Sequence, residues 1–182
     1  YIKHWPFFKN LCIQRKKDIK YVLTGIPQCS PKRDRHQVCC EQNIPDDSFI
    51  MSYVGRHNEV KGFLSLKRIA GSVLDSVADS YMLVAGKEEP YKGLSHTRWH
   101  EIGWTSDAHS YISASDVFIL PNLETYFDIV MLEVLSLGKI VIASRTGGNK
   151  YFEKLNCRGV FLYDTEDEAI QYLNKIRLMS HE

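Results

Sequence analysis

Two basic residues, Arg56 and Lys61, lie in a short loop that begins at Gly55 and leads into a predicted helix. A guanidinium holds phosphate oxygens with its planar fork, and a lysine ammonium is a point charge that can neutralise a departing phosphate. The amides at a helix start also favour an anion. The pair is therefore predicted to bind a diphosphate, although two such charges also occur on ordinary exposed loops.

A second set of polar residues follows the predicted strand at 117–120. The loop 121–128 contains Glu124, Thr125, Tyr126 and Phe127. Carboxylates accept hydrogen bonds from sugar hydroxyls, and backbone amides near a helix start donate to phosphate. Glu133 lies further on in an otherwise apolar helical run, where an unpaired carboxylate is unfavourable. Glu133 is therefore expected to face a cleft or a partner, and a structural ion pair is the alternative.

The composition indicates a folded domain. The chain has 182 residues, of which 44% are hydrophobic and 25% charged, and this argues against disorder and against a disulfide-stapled miniprotein. Charged residues interrupt each hydrophobic segment, so no membrane-spanning helix is predicted. The five cysteines are odd in number and two are adjacent, which favours a reducing, cytoplasmic compartment.

The charge is uneven along the chain. Residues 1–40 contain nine Lys or Arg and two Asp, a net charge of +7, so the remainder carries −6 within a total of +1. A basic segment can bind nucleic acid, but this one lacks interleaved aromatic residues, and a solvated linker without a nucleic-acid partner is predicted. Residues 1–45 are interpreted as irregular, with one strand at Tyr21–Thr24.

From Ser48 onward, short apolar runs alternate with segments of helical period. Strands are predicted at 49–54, 81–85, 101–103, 117–120, 140–143 and 159–162, and helices within 60–77, 109–114, 129–137 and 167–178. Apolar strands separated by helices predict an α/β fold, a doubly wound parallel Rossmann-like sheet with helices on both faces. Ligands bind such sheets beyond the carboxyl ends of the strands, where Arg56, Lys61 and the loop 121–128 are expected to lie.

An ordered set of motifs extends from about Ser48 to the end of the chain. The motifs are Tyr53–Arg56 with Lys61-Gly62, Leu83–Gly86, Gly103-Trp104, Ala114–Pro121, Leu132–Gly138, and Ile140–Ser144 through Gly147-Gly148. In this order they resemble the C-terminal, donor-nucleotide-binding domain of GT-B glycosyltransferases, specifically the large retaining family called family four. The resemblance implies a sugar transferase that uses a nucleotide-diphosphate sugar.

The resemblance also implies roles for individual residues. Arg56 and Lys61 would hold the donor diphosphate and stabilise it as it leaves, so that no metal and no other cofactor is required. Glu133 would bind the donor ribose, and the residues Glu124, Thr125, Tyr126 and Phe127 would contact phosphate and sugar. The nucleobase would lie near Gly86 and Gly103, and Gly55 would allow the close turn after the first strand.

The sequence departs from the family pattern at two positions. The family has two glutamates separated by seven residues, whereas eight residues separate Glu124 from Glu133, and alignment on Phe127 places Thr125 at the first position. Tyr151 occupies the position where an acidic residue often follows the glycine turn.

The resemblance further implies a division of the protein. Residues 46–182 would form the donor-binding domain and residues 1–45 the connection to an acceptor-binding N-terminal domain that this chain lacks. The acceptor would be a glycan or a lipid-linked glycan, with possible peripheral attachment of the whole enzyme to the inner face of a membrane.

Other functions were weighed against this one. A non-catalytic α/β binding or regulatory module is the main alternative. Dinucleotide-binding and P-loop signatures are absent from the sequence. A zinc site built from Cys29, His36, Cys39 and Cys40 lacks finger spacing, so plain thiols are expected. His57 is interpreted as a loop residue at the edge of the pocket.

Overall fold

The computed structural model of the protein describes residues 25–155 and 157–180. The strand expected at Tyr21–Thr24 lies outside the described residues.

Six strands form one parallel sheet. They are β1 (Phe49–Val54), β2 (Ser80–Ala85), β3 (Trp99–Gly103), β4 (Val117–Leu120), β5 (Ile140–Ser144) and β6 (Val160–Tyr163). Their order is β3-β2-β1-β4-β5-β6, and each adjacent pair is parallel. The order reverses beside β1, which is the arrangement that opens a crevice at the carboxyl ends of the strands. The predicted α/β fold is therefore confirmed.

The helices cover both faces of the sheet. They are α1 (Arg35–Gln42), α2 (Phe63–Ser76), α3 (Ala108–Ala114), α4 (Ile129–Ser136), α5 (Lys150–Lys154) and α6 (Glu166–Ser180), and a 3-10 turn spans Gly147–Asn149. Side chains alternate between the faces of a strand. Phe49, Met51 and Tyr53 of β1 accordingly pack in the core cluster of α2 and α6, whereas Ile50 packs in the cluster of α1 and α3.

The helix α1 corrects the expectation that the chain is irregular up to residue 45. A capping box begins this helix: the Asp34 carboxylate accepts from the Gln37 amide at 2.8 Å, and the Asp34 amide donates to the Gln37 side chain at 3.0 Å. Val38 and Cys39 are fully buried against the sheet. Only these two residues of α1 are buried, so the helix has little apolar periodicity, and tertiary packing stabilises it.

The six strands and the helices α2, α3, α4 and α6 agree with the predicted elements to within a few residues, whereas α5 has no counterpart among them. The helix expected within 60–77 begins at Phe63, because the chain from Gly55 to Gly62 forms the loop after β1. Thr165 caps the start of α6, since its hydroxyl accepts from the Glu168 amide at 3.2 Å. Among the helices of the described residues, none combines the length and the hydropathy that crossing a bilayer requires.

An ion pair joins the two helices on one face of the sheet. Arg68 of α2 donates through Nε to both carboxylate oxygens of Glu166, at 3.0 and 2.8 Å, and through Nη2 at 2.6 Å. The Ser65 hydroxyl donates to the same carboxylate at 2.7 Å. The hydrogen bonds from Arg68 hold the pKa of Glu166 below its usual value. The charged carboxylate therefore stabilises the packing of α2 against α6.

We expect Glu166→Gln to lower the free energy of unfolding at pH 7 by about 1 kcal/mol, the upper range for a partly exposed pair. The pKa of Glu166 is lower in the folded than in the unfolded protein. The stabilisation is therefore complete at a pH above the unfolded-state pKa of about 4.3, and it is lost as the pH falls through the folded-state pKa. Urea unfolding should therefore show that the difference in the free energy of unfolding between wild type and variant decreases from pH 7 to pH 3. The control is Asp167→Asn, which removes an exposed charge from the same helix turn. An equal loss of unfolding free energy in this control would contradict a stabilising role for the pair of Arg68 and Glu166.

Candidate functional site

The carboxyl ends of β1, β2 and β3 are joined by backbone hydrogen bonds. The Gly55 amide donates to Ala85 at 2.9 Å, and the Gly86 amide donates to Gly103 at 2.8 Å. Gly86 has φ +149°, and a Cβ there would lie 1.8 Å from the Gly55 carbonyl oxygen. Only glycine allows this approach. The structure thus brings together the three glycines that the sequence analysis assigned to donor binding.

Arg56 extends from this edge of the sheet into solvent. The Tyr53 hydroxyl donates to the Arg56 carbonyl at 2.9 Å and fixes the loop from beneath. The Arg56 side chain is exposed, and among the described residues its guanidinium has no hydrogen bond or ion pair. Its five N–H donors are therefore available to an anion.

Lys61, by contrast, has a partner in the described structure. Its ammonium lies 2.7 Å from Oδ1 of Asp128, whose side chain is only 10% exposed, and Asn122 donates to Oδ2 of the same carboxylate. Asp128 immediately precedes α4, yet its side chain caps no amide of that helix. Both residues belong to the loop 121–128 singled out in the sequence, but their contact with Lys61 could not be predicted, because Lys61 and Asp128 are 67 residues apart.

The loop 122–128 is held on two sides. The Leu123 amide donates to the carbonyl of Val60 at 3.0 Å, beside Lys61, and the Ser144 hydroxyl donates to the Asn122 carbonyl at 2.6 Å. Gly147 has φ +45°, and a Cβ there would lie 1.7 Å from the Thr125 carbonyl oxygen. The glycine turn after β5 therefore packs against the backbone of this loop.

The side chains of the loop differ in their exposure. Glu124 is exposed, Tyr126 is 70% exposed and Thr125 is half-buried. The Phe127 ring stacks on Phe152 with centroids 5.8 Å apart, so it anchors the loop to the core. A ligand can therefore contact the side chains of Glu124, Thr125 and Tyr126, but only the backbone of Phe127.

Glu133 of α4 lies near a histidine of the neighbouring helix. Its Oε1 lies 3.8 Å from Nε2 of His109 in α3, and the two side chains are 29% and 30% exposed. Both groups remain accessible from solvent, so the contact leaves carboxylate oxygen free to accept from a hydroxyl. His109 is a further candidate that the sequence analysis missed, because the two residues belong to different helices.

An exposed indole lies just after the end of β3. Trp104 directly follows Gly103 and is 79% exposed. An aromatic surface in this position can stack on a base. Its exposed ring and its place directly after Gly103 make Trp104 a candidate contact residue.

Two minor expectations are also resolved. His57 does not lie at the pocket edge as predicted: it is fully buried, and its ring stacks on Phe63 with centroids 3.9 Å apart. The zinc set does not assemble, since Cys39 is buried in the core while the Cys29 thiol lies 3.2 Å from the Ser136 hydroxyl on α4. The described cysteines are all free thiols.

Comparison with known proteins identifies the family. The sequence model described as "Glycosyl transferases group 1" matches residues 48–180. The Escherichia coli protein named UDP-Gal:alpha-D-GlcNAc-diphosphoundecaprenol alpha-1,3-galactosyltransferase is 29% identical over 132 residues, which cover 66% of this chain and 34% of the relative. A lipopolysaccharide 1,2-N-acetylglucosaminetransferase of Salmonella typhimurium is 26% identical over 153 residues, 73% of this chain and 40% of the relative. The chain thus spans between a third and two fifths of these relatives.

Solved structures show the same fold. The glycosyltransferase WaaG, involved in lipopolysaccharide biosynthesis, superposes with a TM-score of 0.70 at 19% identity, covering 84% of this chain and 44% of that one. HepE of Anabaena in complex with UDP-glucose superposes with a TM-score of 0.71 at 18% identity, covering 92% and 50%. The resemblance inferred from the motifs is confirmed, and with the match extending over most of the chain the protein belongs to the group 1 glycosyltransferases.

Proposed function

We propose that this chain is the donor-binding part of a retaining glycosyltransferase, which moves a sugar from a nucleotide-diphosphate sugar to a glycan or lipid-linked acceptor. The observation that carries the proposal is the convergence of Arg56, Lys61 and the loop 122–128 at one edge of the sheet. Family membership and the fold of the neighbours support the same role.

The diphosphate is assigned to Arg56 and Lys61. Departure of the nucleotide places negative charge on the diphosphate as the bond between sugar carbon and phosphate oxygen breaks. Two cations beside the phosphates lower the energy of that transition state and replace the charge that Mg²⁺ supplies elsewhere. Donor binding in this proposal therefore needs no metal and no other cofactor.

Asp128 controls the availability of Lys61. Without a donor, the carboxylate holds the ammonium at 2.7 Å. A bound diphosphate carries more negative charge than one carboxylate and competes for the same ammonium. Asp128 thus keeps Lys61 oriented toward the site at the expense of some affinity for the phosphates.

The remaining contacts follow the positions of the side chains. Glu133 accepts hydrogen bonds from the ribose hydroxyls, and Thr125 and Glu124 contact the sugar. The nucleobase lies against the backbone at Gly86 and Gly103, close to Trp104. The names of the Escherichia coli relative and of the Anabaena structure contain UDP sugars, which favours a uridine donor.

The acceptor is assigned to a part of the enzyme outside this chain. The two curated relatives are named for a diphosphoundecaprenol-linked acceptor and for lipopolysaccharide, which favours a lipid-linked glycan. Such an acceptor would hold the whole enzyme at the surface of a membrane. The free thiols of the described residues fit the reducing cytoplasmic side.

The double variant Arg56→Ala, Lys61→Ala tests the diphosphate assignment. Calorimetric titration with UDP, GDP and ADP in EDTA should show saturable binding of one nucleotide, UDP, to the wild-type chain. Loss of both cations should weaken this binding at least 100-fold, because each charged contact to phosphate is worth about 1.5–3 kcal/mol.

The matched control is Lys154→Ala, Arg158→Ala, which removes the same charge near the opposite, amino-terminal edge of the sheet, where the side chains are exposed. This variant should bind as the wild type does. Equal affinity in all three proteins would contradict the assignment, and the absence of any nucleotide binding would favour a non-catalytic module.

Asp128→Asn tests the competition for Lys61. Removal of the carboxylate charge should raise the affinity for UDP several-fold. The ion pair between Asp128 and Lys61 stabilises the protein without ligand, so its loss makes the unliganded state less favourable relative to the complex. The same substitution in the Lys61→Ala background should change the affinity much less. A double-mutant cycle measured by calorimetry gives the coupling, and an equal effect in both backgrounds would show that Asp128 does not act through Lys61.

A further inference from the structure

His57 is a buried side chain in the loop after β1. Its surface is 0% exposed, and among the described residues neither ring nitrogen has a hydrogen-bond partner. Its ring stacks on Phe63, which lies at the start of α2. A buried imidazole normally satisfies at least one nitrogen, because an unpaired buried polar group is unfavourable by about 1–3 kcal/mol. His57 therefore has unused binding capacity.

Two carboxylates lie beside the imidazole. Nε2 of His57 is 3.9 Å from Oε2 of Glu101, which is too far for a hydrogen bond. Glu88 also approaches, and one ligand atom of each of the three side chains lies within 4.8 Å of the other two. His57 follows β1, Glu88 follows β2 and Glu101 belongs to β3. The loops after β1 and β2 and the strand β3 thus each contribute one side chain of a type that can ligate a metal.

Other contacts orient these carboxylates. The Trp99 indole donates to Oε1 of Glu101 at 2.7 Å, and the Gly93 amide donates to Oε1 of Glu88 at 2.9 Å. In each carboxylate one oxygen is fixed, and the second oxygen of Glu101 is the one that lies 3.9 Å from His57. For Glu88 that second oxygen accepts from Lys92 at 3.2 Å, and the Lys92 side chain is 78% exposed. A solvated ammonium of this kind is readily displaced.

We propose that His57, Glu88 and Glu101 bind one divalent transition-metal cation. One imidazole nitrogen and two carboxylate oxygens form a ligand set that suits Zn²⁺ and its neighbours, whereas Mg²⁺ and Ca²⁺ prefer oxygen ligands alone. Among the described residues, this is the one group of three or more His, Cys, Asp or Glu side chains with such mutual distances.

The electrostatics agree with this geometry. Burial lowers the pKa of His57, and metals bind the neutral form of an imidazole. Burial raises the pKa of Glu101, since the charged carboxylate is poorly solvated there. A cation between the two groups would satisfy the imidazole and stabilise the carboxylate charge.

The site is separate from the cations assigned to the diphosphate. It is formed beneath the loop that carries Arg56, on the side of α2, and its residues are different from those that face the donor. A bound cation would tie together the ends of β1, β2 and β3, the segments that contain Gly55, Gly86 and Gly103. Its role is therefore to stabilise the edge of the sheet.

Zinc titration tests the site directly. We would use the full chain with His36→Gln and Cys40→Ser as background, because the exposed Cys40 thiol lies 3.6 Å from His36 Nε2 and can itself attract zinc. Metal is removed with EDTA, the chelator is dialysed away, and Zn²⁺ binding is measured by calorimetry without nucleotide. We expect each chain to bind one Zn²⁺ ion tightly and its melting temperature to rise on binding.

The variants Glu88→Gln and Glu101→Gln should each weaken this binding by about 100-fold, the upper end of the range for perturbing a metal site, and should abolish the thermal shift. The matched control is Glu89→Gln, a neighbour that pairs with Lys87 and lies outside the group, and it should bind as the background does. Zinc binding that is absent, unchanged by both substitutions or equally lost in the control overturns the proposal. Mg²⁺ binding as tightly as Zn²⁺ overturns the assignment to a transition metal. Because no nucleotide is used, the result is independent of the proposed function.

Discussion

Parallel pairing of the six strands places all of their carboxyl ends at one edge of the sheet, and the candidate site depends on this constraint. Strand β1 lies in the interior of the sheet between β2 and β4, so the loop that carries Arg56 and Lys61 is flanked by the loops after both neighbours. Backbone hydrogen bonds then fix the spacing, from Gly55 to Ala85 on one side and from Leu123 to Val60 on the other. Backbone hydrogen bonds thus position the loop that carries the two charged side chains. A ligand can reach these side chains without any rearrangement of the core.

The distribution of charge at this edge is asymmetric. Arg56 is exposed and, within the described residues, unpaired, whereas Lys61 is held by Asp128 and Asn122. One cation is therefore free to meet an anion in solution, and the other is oriented by a carboxylate that a diphosphate can displace. This arrangement keeps an otherwise flexible lysine side chain ordered near the site in the absence of ligand.

The sequence was sufficient for the strands and for most of the helices, because apolar runs such as Val117–Leu120 are buried on both faces and leave a clear pattern. It was insufficient for α1, which buries two residues and depends on a capping box that starts at Asp34. The sequence also predicted that Arg56 and Lys61 follow the first strand and that Glu133 lies in the helix after the loop 121–128, where the structure has them. It did not reveal Asp128 or His109 as their partners, since these contacts form only when distant segments pack, and it gave no sign that His57 is buried.

The central claim is that a nucleotide sugar binds along the carboxyl edge of β1 to β4. Amide NMR of the ¹⁵N-labelled chain during titration with UDP-glucose tests this claim most directly, because it reports the location of binding independently of any substitution. The account predicts saturable shifts at Gly55, Gly86, Gly103 and the loop 122–128, with α1 and the loop before β6 unaffected. Shifts confined to α1 or to the opposite edge of the sheet, or no shifts at saturating ligand, would contradict it.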